Sequence, residues 1–396
     1  MKTITMTLLF FCICFLAAAQ EKTESSLQKL FEQTATMEQE ARKNKNYSEG
    51  IEAWKRYLEE AAKYPENIPH PIKKAKAYYQ LGCMYALENL PKKALNMLEE
   101  AVNMGLDEYW NLISDNDMES IRKIPRYQEL MKKQSIDYSV ILKQSAKYTK
   151  SNTKEAFPFT YMDVNNSNLV HIRKYFNLDS IAGTCDEITR IKNIMTWVHN
   201  TVRHDGSSFN PEEKNTIAMI ELCKKENRGI NCRMMAQILN ECYLAMGFKS
   251  RFVTCMPQNM INDCHVINSV YSNTLKKWLW MDPTFNAYVS DDKGNLLSIA
   301  EVREYLYNGQ PLVLNENANW NNQYKKSKEH YLDYYMAKNL YYLVCPVRSE
   351  FNAETNYEGK SWSKYINLVP TGFLPEGNDR NNIQTSDDSY FWATPD

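Results

Sequence analysis

The sequence has almost no net charge, little glycine and no Cys-x-x-Cys pair. Its 47 lysines and arginines nearly balance 48 aspartates and glutamates, so the formal net charge is −1. A chain without a basic field is not expected to bind nucleic acid or anionic lipid electrostatically. Only 12 glycines occur against 26 tyrosines, which is unlike a low-complexity chain. Without a Cys-x-x-Cys pair a structural zinc site is not expected, and the sequence predicts no cofactor.

Long apolar segments are also missing beyond the N-terminus, which itself has the form of a secretory signal. Lys2 supplies a positive charge, residues 8–16 are apolar, and residues 17–19 are alanines that suit a cleavage site. The apolar run is short for a membrane span, and no small residue precedes Cys14 as lipidation requires. We therefore predict a signal peptide over residues 1–19 and an exported, periplasmic or extracellular protein without a membrane span.

Eight cysteines remain after that predicted cleavage, and they are spread widely along the chain. Export permits disulfides. The low density is nevertheless unlike a disulfide scaffold, and the spacing leaves any pairing open. These cysteines are Cys83, Cys185, Cys223, Cys232, Cys242, Cys255, Cys264 and Cys345.

Residues 26–135 are predicted to be entirely helical. Apolar and small residues recur at helical spacing in 75–86 and again in 91–101, where Pro91 suits a first turn. This pair resembles a tetratricopeptide repeat, and a less regular copy precedes it at 47–58. The matching positions are Tyr78, Leu81, Gly82, Tyr85, Ala94, Leu98 and Ala101. The resemblance implies a surface that docks a peptide or protein partner, whereas the alternative is a plain helical hairpin.

The rest of the chain has an α+β pattern. We predict a linker or extension over 136–180, a core over 181–315 and a mixed C-terminal extension over 316–396, to which we assign no mechanism. A helix followed by an antiparallel meander is typical of this fold class, and Thr184 is expected to cap the first helix. Helices are predicted at 184–202, 232–246, 298–307 and 329–340, and strands at 251–256, 265–271, 277–281 and 365–369.

Three residues of the predicted core are the parts of a cysteine-based acyl-transfer site. Cys232 opens a helix, His265 follows 33 residues later on a strand, and Asp282 follows 17 residues after that, at the end of the next strand. The free N–H groups and dipole at a helix start stabilise a thiolate. An imidazole can then serve as its partner and as the acid for the leaving amine. A carboxylate fixes the tautomer of that imidazole.

The segments around these residues resemble the transglutaminase-like core. The resemblance implies a papain-like α+β fold, in which a helix packs on an antiparallel sheet, with Cys232 as nucleophile, His265 as base and Asp282 as the orienting acid. Val266 and Ile267 stand where an alanine and a tryptophan often follow the histidine, which leaves the substrate open. The superfamily includes transferases, proteases, deamidases, glycopeptide amidases and inactive members. The segments are Gly229-Ile230-Asn231-Cys232-Arg233, Gly247-Phe248-Lys249-Ser250-Arg251-Phe252-Val253, Cys264-His265-Val266-Ile267 and Trp280-Met281-Asp282-Pro283-Thr284.

Several of these residues also have plainer interpretations. Cysteine is often a small core residue, and Cys264 is expected to point to the face of its strand opposite His265, as a buried thiol or half of a disulfide. His199 and His204 are interpreted as structural or surface residues. The backbone N–H of Cys232 is a candidate oxyanion donor. The candidates for a second donor are Gln258, Trp197 and Trp280.

The sequence thus predicts an exported protein that carries out cysteine-dependent acyl transfer or amide hydrolysis on peptide or protein substrates. The alternative is a non-catalytic binding protein, in which the helical repeats dock a partner and the transglutaminase-like core serves as a platform.

Overall fold

The computed structural model describes residues 26–64, 71–106, 112–113, 115–150, 158–206, 208–259, 264–375 and 382–395. The predicted signal peptide lies outside the described residues. The chain divides into two compact units, Met1–Ile136 and Asp137–Asp396. Within the described residues, no helix is both long enough and apolar enough to cross a lipid bilayer.

The first unit is helical. Its helices pack through small residues, since a Cβ at Gly82 would lie 3.1 Å from Cδ2 of Leu98 and 3.4 Å from the carbonyl oxygen of Ala94. Pro91 occupies the first turn of its helix, where a missing N–H costs nothing. The helices are residues 26–44, Tyr47–Ala61, Pro71–Leu87, Pro91–Asn103 and Pro125–Gln134, with a 3₁₀ turn at Asn116–Met118.

The second unit combines helices with a six-stranded sheet. The helices are Tyr138–Gln144, Ser167–Tyr175, Leu178–Ala182, Glu187–Thr201, Thr216–Glu226, Cys232–Ala245, Ile299–Asn308, Ala337–Asn339 and Asp388–Phe391. A π-helix spans Glu329–Met336. This unit bears out the α+β prediction.

The strands of the main sheet come from two separated parts of the chain. Their spatial order is Asn382–Thr385, Tyr365–Leu368, Tyr342–Pro346, Ser250–Met256, His265–Ser272 and Lys277–Met281. Neighbours are antiparallel except the first pair, which is parallel. The C-terminal segment therefore continues the sheet that carries His265.

Shorter strand pairs lie outside this sheet. The strands Asn319–Trp320 and Tyr324–Lys325 form a hairpin, called here the 319–325 hairpin. The other pairs join Thr160–Tyr161 to Arg348–Ser349 and Val289–Ser290 to Val313–Leu314.

The helix Cys232–Ala245, called here the central helix, is enclosed by the unit. Every residue from Met234 to Ala245 is buried, as expected of a helix that packs on the sheet on one side and on other helices elsewhere. The carboxylate of Glu241 is fully buried and accepts hydrogen bonds from the backbone N–H groups of Thr216 and Asn352. These bonds tie the later part of the central helix to the start of the helix Thr216–Glu226 and to the segment at Asn352.

Two local predictions differ from the structure. The helix predicted to start at Thr184 is Glu187–Thr201, and Asp186 caps it by accepting from the N–H of Thr189 at 3.0 Å. Aspartate and threonine are both good caps, so sequence alone did not choose between them. Helix was predicted over 329–340, and most of that range is π-helix rather than α-helix.

Candidate active site

Cys232 is the first residue of the central helix. The side chain of Asn231 caps this helix by accepting from the N–H of Met234 at 3.0 Å, and its amide donates to Oδ1 of Asn210 at 2.7 Å. The thiol is partly exposed. Because the N–H groups of a first helical turn have no partner within the helix, those at Cys232 are free to interact with an anion.

His265 begins the strand that lies under the start of the central helix, and it pairs with Cys255 of the neighbouring strand Ser250–Met256. The imidazole is 1 % exposed. It packs between the rings of Phe285 and Tyr335, whose centroids lie 5.4 Å and 5.3 Å away. These two rings fix the plane of the imidazole and shield it from water.

Asp282 follows the next strand directly, and its carboxylate is fully buried. Oδ2 accepts from Nε2 of His265 at 2.7 Å and from the hydroxyl of Tyr331 at 2.6 Å. Oδ1 accepts from the backbone N–H groups of Thr284 at 2.8 Å and Phe285 at 3.3 Å. Four donors thus converge on one carboxylate, which suits an ionised acid and leaves little freedom to turn.

The structure brings Cys232, His265 and Asp282 together. Nε2 of His265 is occupied by Asp282, while its Nδ1 is buried and has no hydrogen-bond partner among the described residues. The imidazole lies beside the Cys232 thiol, close enough for the two groups to shift each other's pKa. Since Nε2 is occupied, Nδ1 is the atom that faces the sulfur.

The protonation of this pair follows from its neighbours. Burial raises the pKa of Cys232, but the interactions with His204 and His265 outweigh it and bring the pKa to about 6. Burial lowers the pKa of His265, but the Asp282 carboxylate and the Cys232 sulfur outweigh it and raise the pKa to about 10. Between these values the stable form is a thiolate beside an imidazolium, which is the reactive form of a cysteine nucleophile.

A second imidazole reaches the sulfur, which the sequence did not lead us to expect. The His204 imidazole also lies close enough to the Cys232 thiol to lower its pKa, and its Nδ1 accepts from the indole N–H of Trp320 at 3.1 Å. His204 thus lies nearer to the sulfur than its interpretation as a structural or surface residue led us to expect. Its 28-residue distance from Cys232 matched no spacing that we recognised.

His199 is buried and braces the site without contacting the sulfur. Its Nδ1 lies 2.9 Å from the carbonyl oxygen of Pro283, and its Nε2 lies 3.0 Å from Oδ1 of Asn319. Pro283 follows Asp282, and Asn319 precedes Trp320. His199 therefore ties the segment that carries Asp282 to the 319–325 hairpin, and its structural interpretation agrees with its position.

Two of the candidate oxyanion donors point elsewhere. Trp280 donates its indole N–H to the hydroxyl of Tyr331 at 3.2 Å, and Gln258 donates to the hydroxyl of Tyr341 at 3.3 Å. The third candidate, Trp197, packs against Phe176 at the edge of the helical core. Sequence reasoning missed Tyr331 and Trp320, which the aromatic-rich C-terminal segment brings to the site.

One group of potential metal ligands occurs among the described residues, and it lies in the N-terminal unit. Ligand atoms of Cys83, Asp115 and Asp117 are within 4.8 Å of one another. Asp117 already pairs with the guanidinium of Arg42 at 2.5 Å, and burial raises the pKa of Cys83 well above its ordinary value. A neutral thiol and a neutralised carboxylate fit a structural cluster better than a cation site.

A known family matches the part of the chain that holds these residues. Residues 176–283 match the model of the Transglutaminase-like superfamily, and this range contains Cys232, His265 and Asp282. The chain is also 32 % identical over 100 residues to a chloroplastic protein of Arabidopsis thaliana, and that match covers 24 % of this chain and 30 % of the plant protein. The superfamily match shows that the chain contains a transglutaminase-like core.

A solved structure is also similar to part of the chain. It is the crystal structure of a proposed cysteine protease from Cytophaga hutchinsonii, with 16 % identity and a TM-score of 0.23. The similarity covers 36 % of this chain and 46 % of that one. The chain thus spans less than half the length of either known protein.

Proposed function

We propose that this protein is an exported enzyme that carries out cysteine-dependent acyl transfer or amide hydrolysis on peptide or protein substrates. The observation that supports this most is the contact of the Cys232 thiol with His265, whose far nitrogen is 2.7 Å from the Asp282 carboxylate. The superfamily match to the same region supports it further.

In the first step, the Cys232 thiolate attacks the carbonyl carbon of a substrate amide and forms a carbon–sulfur bond. The carbonyl π electrons move onto oxygen. The imidazolium of His265 then gives its Nδ1 proton to the leaving amine as the carbon–nitrogen bond breaks and a thioester remains. Asp282 keeps the ring oriented and stabilises its positive charge throughout this step.

In the second step, neutral His265 takes a proton from water or from an acceptor amine, which attacks the thioester. The carbon–sulfur bond breaks, and the thiolate is restored beside the imidazolium. Water as the acceptor gives hydrolysis, and an amine gives transfer.

A thiol-directed amide probe tests the nucleophile. We expect the wild-type chain to be labelled and the Cys232→Ala chain to be much less so. Cys264→Ala is the matched control, because Cys264 is also partly exposed and precedes His265 directly, but it is not the proposed nucleophile. Equal labelling of wild type and Cys232→Ala would contradict the proposal.

A peptide-library digest with ammonia release measured in parallel identifies the reaction. Cleaved peptides without ammonia indicate proteolysis, and ammonia without cleavage indicates deamidation or cross-linking. Addition of a primary amine separates the last two, since only transfer incorporates it. No product with wild type under any of these conditions would count against an enzyme.

The alternative function is partner binding by the N-terminal helices as tetratricopeptide-like repeats. The close contact of Gly82 with Leu98 favours it, because such small-residue contacts suit paired repeat helices. We expect a partner captured by the folded chain to be lost in Tyr78→Ala and retained in Cys232→Ala. Loss of capture in Cys232→Ala, with Tyr78→Ala unaffected, would contradict this function.

Export is tested by the mature N-terminus. We expect the protein recovered from the periplasm or the medium to begin near Gln20, the residue after the three alanines. Recovery of the uncleaved chain from the cytoplasm alone would contradict it.

A further inference from the structure

The backbone at His204 is attached directly to the segment that leads into Cys232. Ile230 donates its N–H to the carbonyl oxygen of Arg203 at 3.1 Å and accepts from the N–H of Asp205 at 2.8 Å. His204 and Ile230 thereby form an isolated parallel bridge. Because Ile230 is two residues before Cys232, the positions of His204 and the sulfur are coupled through a single short piece of backbone.

Gly229 makes this close approach possible. A Cβ at this position would lie 2.4 Å from the carbonyl oxygen of Arg203 and 2.7 Å from Cβ of Asp205. Any side chain would therefore push the His204 segment away from the start of the central helix.

The 319–325 hairpin and its turn hold His204 from the other side. The side chain of Asn321 accepts from the backbone N–H of His204 at 2.7 Å and donates to its carbonyl oxygen at 3.0 Å. Asn322 of the same turn donates to Oδ1 of Asn200 at 3.0 Å. Both the backbone and the ring of His204 are thus fixed by residues of the C-terminal segment.

The contact with Trp320 selects one tautomer of the His204 ring. An indole N–H is a donor only, so Nδ1 of His204, 3.1 Å away, must be the acceptor and carry no proton. A doubly protonated ring would set two N–H donors against each other. The ring proton is therefore on Nε2, and Nε2 is the nitrogen left to face the Cys232 sulfur.

We propose that His204 is a catalytic residue that donates its Nε2–H first to the Cys232 sulfur and then to the substrate oxygen, as the second oxyanion donor of the site. This rests on the proposed acyl chemistry. When the thiolate attacks, negative charge passes from sulfur to the carbonyl oxygen bonded to the same carbon. A donor already directed at the sulfur is close to that oxygen, and it needs no reorganisation to follow the charge.

This role separates the two imidazoles. His265 is bonded to a carboxylate, becomes charged and gives its proton away, whereas His204 accepts from an indole N–H at Nδ1 and keeps the proton on Nε2 as a donor. The backbone N–H of Cys232 at the helix start supplies the other donor.

The test compares two substitutions that differ in reach. In His204→Gln the side-chain amide nitrogen can occupy the place of Nε2, whereas in His204→Asn the amide reaches only the place of Nδ1. Two reactions of each protein are measured: the burst of p-nitrophenolate from p-nitrophenyl acetate, which passes through an oxyanion, and the limiting rate of iodoacetamide alkylation at high pH, which does not. Thermal unfolding checks that each variant is folded.

We expect the burst rate to fall by about 10²–10³-fold in His204→Asn, since removal of one oxyanion donor has that effect. The fall in His204→Gln should be smaller by a factor of at least about ten. The limiting alkylation rate should change by less than about fivefold in both. Trp320→Phe, which leaves the His204 ring in place but removes its donor, should lower the burst rate without changing the limiting alkylation rate.

Three results would overturn this inference. The first is an equal burst rate in wild type and His204→Asn. The second is a loss of burst rate matched by an equal loss of alkylation rate, and the third is the same loss of burst rate in the Asn and Gln variants. If wild type is alkylated at Cys232 but is never acylated by the ester, the proposed acyl chemistry fails, and the role of His204 fails with it. A defect confined to the variants bears on His204 alone.

Discussion

Tyr331 donates a 2.6 Å hydrogen bond to Oδ2 of Asp282, the same oxygen that accepts from Nε2 of His265 at 2.7 Å. Trp280 in turn donates to the Tyr331 hydroxyl at 3.2 Å. Buried hydrogen bonds therefore run from a core indole, through the π-helix, to the candidate base. Single-turn π segments often occur at functional sites, and here the π-helix also supplies Tyr335, which packs on the His265 ring.

Tyr331→Phe removes one donor to Asp282 and leaves the N–H of Trp280 without its acceptor. We expect the free energy of unfolding to fall by about 1–3 kcal/mol and ester acylation to slow by about tenfold, because the His265 ring loses part of its orientation. Denaturant unfolding and the p-nitrophenolate burst measure the two effects. Tyr57→Phe is the control, since its buried hydroxyl has no hydrogen-bond partner among the described residues. Unchanged stability of Tyr331→Phe would refute the prediction.

Asp282→Asn tests the convergence of four donors on one carboxylate. An amide has one acceptor oxygen, so its NH₂ group must face either the N–H groups of Thr284 and Phe285 or the N–H of His265 and the hydroxyl of Tyr331. We expect a loss of about 10³-fold or more in the acylation rate, by analogy with triads whose acid is amidated, together with a lower midpoint of thermal unfolding. Retention of the wild-type rate would show that the charge on Asp282 is not needed.

The pH dependence of acylation by an amide substrate, whose leaving amine must gain a proton, should be bell-shaped. Below the Cys232 pKa of about 6 the sulfur gains a proton and loses reactivity, so the rate rises with pH there. Above the His265 pKa of about 10 the ring has no proton for the leaving group, so the rate falls. The two groups titrate as a pair, and the limbs report the pair. Alkylation by iodoacetamide needs no acid and should rise near pH 6 without a fall at high pH. A fall in both reactions would rule out this assignment.

Gly229→Ala places a methyl group 2.4 Å from the carbonyl oxygen of Arg203. Backbone must move to accept it, so we expect a destabilisation of about 1–3 kcal/mol and slower acylation, because His204 and Cys232 separate. Gly206→Ala, in the segment that carries His204, is the matched control. Its methyl group would meet only Cε1 of His204, at an ordinary contact distance of 3.7 Å. Similar stability of the two variants, measured by denaturant unfolding, would argue against a forced close approach at Gly229.

Local patterns predicted the elements that carry the candidate site. Apolar residues at helical spacing predicted the helix that begins at Cys232, and short strand-like runs bounded by a turn predicted the strand of His265 and the strand before Asp282. These elements are close in sequence and form an uninterrupted helix and meander, so their mutual arrangement follows from short connections. The transglutaminase-like resemblance over the same stretch is confirmed by the superfamily match to residues 176–283.

The parts that sequence missed depend on contacts between distant residues. Trp320 is 116 residues from His204, and Tyr331 is 49 residues from Asp282. No periodicity links such positions. For the C-terminal segment the sequence therefore predicted only a helix at 329–340 and a strand at 365–369, with no mechanism, although its strands extend the main sheet and its π-helix contacts the candidate base.

Sequence alone determined which residue types this chain offers for chemistry, a thiol at a helix start, an imidazole on a strand and a carboxylate after the next one, because capping and strand alternation are local properties. Only the tertiary structure decided which nitrogen faces the sulfur and that a second imidazole also reaches it. Those outcomes depend on where remote donors such as the Trp320 indole and the Tyr331 hydroxyl come to lie, and packing of the whole unit sets those positions.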